Sequence, residues 1–209
     1  MNKLNVGLEW ITKVAFLNLL WILFTLLGAI FLGLFPATAA TFAVIRKWIT
    51  GYTDAPLFNT FWKEWKTSLL HANILGYTIT VISYVLYLDF VFITVSQTDF
   101  ALLLTIPFLI ISILFMLTSL YVFPVYVYFR VKGLQVFKNA FFIMVINPLP
   151  TVMMAFGLLG IGFLLYQFQW MALFFSMSVV ALVLMMPAKR AFSKIINKKY
   201  RLEEVANEV

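Results

Sequence analysis

Every basic residue of this chain can be placed on one side of a bilayer, and the apolar runs between the basic clusters are long enough to demand one. The fifteen Lys and Arg residues gather around 3–13, 46–66, 130–138 and 189–201. The two shortest gaps between apolar runs, 96–100 and 166–169, contain none. Cytoplasmic loops retain Lys and Arg while translocated loops lack them. The pattern therefore predicts a multi-pass protein of the bacterial cell (inner) membrane with both termini cytoplasmic. Composition agrees: 64% of residues are hydrophobic and 11% charged, with 23 Phe. A soluble domain carries about a quarter charged residues, so a water-exposed fold could not cover this much apolar surface. The partner implied is the lipid bilayer. Anionic headgroups account for the net charge of +7, at about 1 kcal/mol per basic residue near the surface. No nucleic-acid partner is expected.

A spanning helix needs about 20 mainly apolar residues. The reading is an all-α, polytopic transmembrane helix bundle in one membrane domain. It has five full spans at 14–27, 73–95, 102–129, 140–165 and 170–187, plus a short or re-entrant helix at 37–48. Residues 14–48 make roughly 52 Å of helix, too long for one crossing and slightly short for two. Basic residues on both flanks favour a stretch that goes in and comes back, with a turn around 28–36; the alternative is a single crossing that leaves the N-terminus, with Lys3 and Lys13, outside. The run is also longer than the h-region of a secretory signal, despite the small residues Ala37, Thr38 and Ala39. In the loop that follows, Phe58, Phe61, Trp62, Trp65 and Leu69 recur at helical spacing opposite Lys63, Glu64 and Lys66. That pattern predicts an interfacial amphipathic helix over 56–70, with its aromatic side in lipid. A cytoplasmic tail, 188–209, ends the chain.

Chemistry has few places to sit. No Cys is present, so disulfides and thiolate chemistry are excluded, and one His, His71, cannot make a zinc cluster. No catalytic set, metal site or cofactor site is predicted, and an enzyme is not expected. Ionisable groups at membrane depth are functional candidates by default. Asp89 is one, toward the far end of its span, and Asp99 lies in the outer loop. Polar residues inside spans form a candidate polar pathway: Asn18, Asn73, Asp89 and Asn147. The alternative for them is hydrogen bonding between helices, about 0.6 kcal/mol each. Asn147-Pro148-Leu149-Pro150 must interrupt helical bonding, which is tolerated only in protein or a wet cavity. Pro36, Ala37, Thr38, Ala39 and Ala40 form a candidate packing or partner motif, because small faces let helix backbones approach closely.

Asn18-Leu19-Leu20-Trp21, the 35–40 motif, Arg46-Lys47-Trp48, Phe61-Trp62-Lys63-Glu64, Lys138-Asn139-Ala140-Phe141 and Asn147-Pro148 together resemble the YesL-like family of bacterial integral membrane proteins. The resemblance covers the whole chain. It implies a membrane protein of unknown biochemical activity, set near carbohydrate uptake and breakdown, with no site residue to carry over. The expected role is an accessory or assembly component linked to carbohydrate uptake or sensing, partnered by ABC-type sugar transporter or sensor kinase subunits, or by a second copy. The alternative is a permease for a small solute such as a sugar. Against it, residues 133–150 miss the spacing of the coupling loop of ABC permeases.

Overall fold

A computed structural model of the chain describes residues 3–95 and 99–207, and their regular structure is entirely helical. The order is α1 (Lys3–Leu27), α2 (Leu34–Ile49), α3 (Leu57–Val95), α4 (Asp99–Phe129), α5 (Leu134–Ile146), α6 (Pro148–Gln167) and α7 (Gln169–Asn207). Five helices are long and apolar enough to cross a bilayer: α1, α3, α4, α6 and α7. The fold is thus the expected helix bundle of five spans and a short helix. The centre of the 96–100 loop, residues 96–98, lies outside the described residues.

Several boundaries differ from the sequence reading. The segments 56–70 and 73–95 form one helix, α3, because nothing between Leu70 and Asn73 interrupts helical bonding. Its aromatic side also packs inside the protein. Phe24 of α1 sits 5.1 Å from Phe61, 5.4 Å from Trp62 and 5.3 Å from Trp65, ring centre to ring centre. The expected span 140–165 is divided at Asn147 into α5 and α6. Pro148 and Pro150 have no N–H to donate, so bonding cannot run through. The tail from Ala188 continues as a helix, as its sequence suggests, and extends α7 without a break to Asn207.

The short helix α2 is the centre of the bundle. It packs against α1, α3, α4 and α7, and every residue from Pro36 to Ile45 is buried. Its small residues allow this, since Ala37, Ala39, Ala40 and Ala43 let four neighbours approach its backbone. α2 starts at Leu34, slightly earlier than expected, and Pro36 falls in its first turn, where a missing N–H costs nothing.

With 16 residues, α2 spans about 24 Å, short of the roughly 30 Å of a hydrocarbon core. If Arg46 and Lys47 mark a polar boundary, the α1–α2 turn stops inside the apolar layer. α3 also continues well past this turn. Phe35 packs on Tyr77 at 5.2 Å between ring centres. Beyond Tyr77, α3 runs on through residues 78–95, about 27 Å further.

A turn at that depth needs its backbone polar groups satisfied within the protein. Most amides of the turn bond within it: Gly28 to Phe24 O, Ala29 to Leu26 O, Ile30 to Thr25 O and Leu32 to Gly28 O. Two carbonyls point outward, and α3 supplies their donors. The Tyr77 hydroxyl donates to Phe31 O at 2.8 Å and the Asn73 amide to Leu32 O at 3.0 Å. Gly28 and Gly33 lie backbone against backbone, where a Cβ on either would overlap the other strand of the turn. Ala29 and Ile30 adopt left-handed φ values of 50° and 65°. That conformation costs an L-residue about 1–2 kcal/mol, so the packing must hold it.

Gly76 receives the Phe35 ring directly, and a side chain there would overlap it. Gly76→Leu is expected to cost about 1–3 kcal/mol as an overpacking change, read as a lower unfolding midpoint in mild detergent. Phe35→Ala in the same chain should recover part of the loss. Equal midpoints for wild type and Gly76→Leu would show that the turn does not rest on this contact.

Candidate functional site

The four candidates for a polar pathway are placed at separate helix junctions, and no described hydrogen bond links any two of them. Asn18 is fully buried between α1 and α7. Its amide donates to Leu173 O at 2.8 Å, and its carbonyl oxygen accepts from the amides of Met177 (2.9 Å) and Ser178 (3.2 Å). Asn73 closes the α1–α2 turn and also donates to Leu69 O at 2.7 Å. Asn147 is buried at the α5–α6 break, where its side-chain amide donates to Ile143 O at 3.0 Å. Asp89 is exposed on α3, facing an apolar groove lined by Leu86, Phe92, Leu104, Pro107 and Phe108.

The α5–α6 break shows why such groups are needed. Pro148 removes the helical partner of Met144 O, and the Thr151 hydroxyl, 3.3 Å away, stands in its place. Thr151 also touches Asn147 O at 2.9 Å and pairs with the Tyr121 hydroxyl at 3.0 Å, which ties α6 to α4. Tyr121, Thr151 and Tyr77 were not among the sequence candidates. A proline pair announces that carbonyls will be freed, but not which distant hydroxyl will meet them.

Pro36, Ala37, Thr38, Ala39 and Ala40 are all buried inside the bundle. Thr38 accepts from the Trp21 indole at 3.1 Å and donates to Leu34 O at 2.8 Å. The motif therefore packs α2 against its own chain, and its surface is already covered.

Charge concentrates at the end of the bundle where α2 and α4 finish. Arg46 donates to Val127 O at 2.6 Å and Lys189 to Ile49 O at 2.5 Å. Lys13 reaches Thr53 O at 3.4 Å, and Lys47 reaches the Thr60 hydroxyl at 3.3 Å. Cations thus meet carbonyls at two helix C-termini, where the helix dipole is negative. Two recesses open there. One, about 570 Å³, is lined by Arg46, Lys47, Thr50, Tyr52, Ala55 and Tyr128. The other, about 230 Å³, holds Glu64, Ser68, His71, Tyr126, Arg130 and Lys132. Arg130 and Glu64 pair across its mouth at 3.7 Å. Arg46, in the last turn of the non-spanning α2, is held below the ordinary guanidinium value, first by burial and then by the Arg130 charge. A guanidinium nevertheless stays protonated in a protein. The charge at this end of the molecule suits an oxyanion; the described side-chain partner of Ser68 there is the Tyr126 hydroxyl, at 3.3 Å.

Asn18→Leu is expected to cost about 1–2 kcal/mol, since it removes the amide and carbonyl that join α1 to α7 and leaves Leu173 O unpaired. The midpoint of unfolding should fall more than for Thr12→Ala, whose hydroxyl bonds only within α1 to Leu8 O. Equal effects would mean that the α1–α7 contact does not depend on Asn18.

The sequence profile of a family described as "Protein of unknown function, DUF624" matches residues 14–90, which take in most of α1, all of α2 and most of α3. Three proteins of Bacillus subtilis (strain 168) are similar over most of their length. The "Uncharacterized protein YesL" is 39% identical, covering 91% of this chain and 90% of its own. The "Uncharacterized protein YesV" is 34% identical over 92% and 93%. The "Uncharacterized protein YteU" is 37% identical over 83% and 78%. No solved structure matches. At these identities over nearly whole chains, this protein belongs to the YesL-like, DUF624 family of unknown function.

Proposed function

We propose that this protein is an accessory or assembly component of a membrane complex linked to carbohydrate uptake or sensing. It would sit in the bacterial cell membrane with both termini in the cytoplasm. The observation that carries the reading is the division of labour among its helices. Asn18, Asn73 and Asn147 are each engaged at a separate helix junction, and no described hydrogen bond joins them into a row for a solute to follow. Meanwhile the α3–α4 hairpin rises past the α1–α2 turn with most of its described apolar side chains open, from Val81 to Val95 on α3 and from Leu103 to Ile113 on α4. Such an arm suits a transmembrane partner. ABC-type sugar transporter or sensor kinase subunits fit the carbohydrate setting that the family resemblance implies, and a second copy fits the same surface. The protein is not proposed as an enzyme, and nucleic acid is not a proposed partner.

Affinity capture from native membranes, followed by mass spectrometry, tests the role. Transporter or sensor subunits are expected to co-purify in a fixed ratio. A clean homo-oligomer that takes up sugar alone in proteoliposomes would make the permease reading the correct one. Orientation is open to direct test because the chain has no native Cys. Asp54→Cys should react with an impermeant maleimide only from the cytoplasmic side, and Gln167→Cys only from the opposite side. The reverse pattern would overturn the proposed topology.

A further inference from the structure

The recess at the end of α2 has a shape and a charge that the accessory role does not use. We infer that Arg46, Lys47, Tyr52 and Tyr128 form a binding site for a phosphate group. Its source is either the headgroup of an anionic phospholipid or a free phosphate.

The case starts from unmatched charge. Among the described residues, the acids that form ion pairs do so with other cations: Glu9 with Lys13 at 2.6 Å, and Glu64 with Arg130 at 3.7 Å, the latter pair near enough for its charges to act on Arg46. Arg46, Lys47 and Lys189 have no carboxylate within ion-pair distance among the described residues. Asp54 is near in sequence but is exposed and does not line the recess. The three cations instead lean on neutral oxygens, two backbone carbonyls and the Thr60 hydroxyl. Arg46 and Lys47 are also half-buried, so water screens them less than a surface lysine.

The second point is free donor capacity. A guanidinium carries five N–H donors in a planar fork, and one nitrogen of Arg46 is engaged, on Val127 O. An ammonium carries three, and Lys47 makes one long bond of 3.3 Å. The Tyr52 side chain is 70% exposed at the rim, and its hydroxyl is engaged by no described partner. Thr50 contributes shape alone, since its hydroxyl is committed to Arg46 O and Lys47 O. A fork beside a point charge matches the tetrahedral oxygens of phosphate, which Arg grips in bidentate fashion. The recess is large enough to admit the group, and it opens where α2 reaches the polar boundary.

Diffuse attraction is the competing account. Lysines beside a membrane bind anionic headgroups generally, without a site. Lys63, exposed on the first turns of α3, is the control for that effect.

The test uses the full-length protein in nanodiscs of zwitterionic lipid, with unfolding midpoint and native mass spectrometry as readouts. Inorganic phosphate is titrated against chloride at matched ionic strength, and in parallel phosphatidylglycerol is introduced into the bilayer. The expected result is saturable stabilisation by one of the two probes. Apparent affinity should fall about ten-fold in Arg46→Gln and in Lys47→Gln, the loss of one charge-assisted bond, and stay unchanged in Lys63→Gln. A response to inorganic phosphate assigns the site to a soluble phosphate, and a response to phosphatidylglycerol alone assigns it to a headgroup. Should Arg46→Gln fail to fold for want of its bond to Val127 O, Lys47→Gln carries the comparison. Equal losses in all three variants, or no response to either probe, would overturn the site.

Discussion

The architecture depends on burying a helix that is too short to cross the layer in which it lies. α2 ends among basic side chains at Arg46 and Lys47, and its other end stops near the level of Tyr77 on α3. The price of stopping there is a non-helical turn in an apolar environment, where each unsatisfied backbone group costs several kcal/mol. Asn73 and Tyr77 cover two carbonyls, those of Leu32 and Phe31, that the turn does not cover itself. Glycine at 28 and 33 lets the two strands of the turn touch, and glycine at 76 lets α3 come close enough to deliver its donors. Turn, small-residue helix and covering helix form one unit: without Gly76 the donors would stand too far away, and without the donors the turn could not stay at that depth.

The same geometry determines what the rest of the chain does. Because α1 and α2 turn back early, they cannot cover the distal half of the α3–α4 hairpin, and its side chains stay open. At the opposite end, helices of unequal reach finish together. Their terminal carbonyls draw in Arg46 and Lys189, and the loop carbonyl of Thr53 draws in Lys13. Positive charge there has a structural use. It closes the C-termini of α2 and α4, where the dipole favours cations.

Much of this was legible from residue order, for a physical reason. Lipid imposes a length and a polarity on every span, so the helical class, the five spans and the short returning helix follow from apolar run lengths and the position of basic residues. The proline pair after Asn147 marked a real break for the same kind of reason, the loss of two N–H donors. What could not be read was tertiary. Phe58, Phe61, Trp62 and Trp65 make an aromatic face that would suit lipid equally well; only Phe24, from another helix, shows that the protein takes Phe61 and part of Trp65 while Phe58 and Trp62 stay exposed. Asn18 and Asn73 stood out as polar residues in apolar runs. Whether such a residue lines a channel or bonds a neighbouring helix depends on what lies across from it, and periodicity carries no record of that. Thr151 and Tyr77 escaped notice because hydroxyls are common in spans and become significant only opposite a freed carbonyl.

The part of the chain matched by the family profile, residues 14–90, coincides with the structural unit just described. It begins in α1, runs through the Gly28–Gly33 turn and α2, and ends in α3, past Gly76 and Tyr77. α4 through α7 fall outside it, although α4 and α7 bury two flanks of α2. The coincidence has a simple physical basis. Residues that close a turn at membrane depth must be of definite types, because glycine contacts admit no Cβ and carbonyls need a donor of the right reach. Helices that only present an apolar flank can satisfy the requirement with many sequences, since hydrophobic side chains of similar volume replace one another at small cost. A pattern that identifies the family would therefore be strongest where the backbone is least forgiving, and in this chain that place is the buried turn.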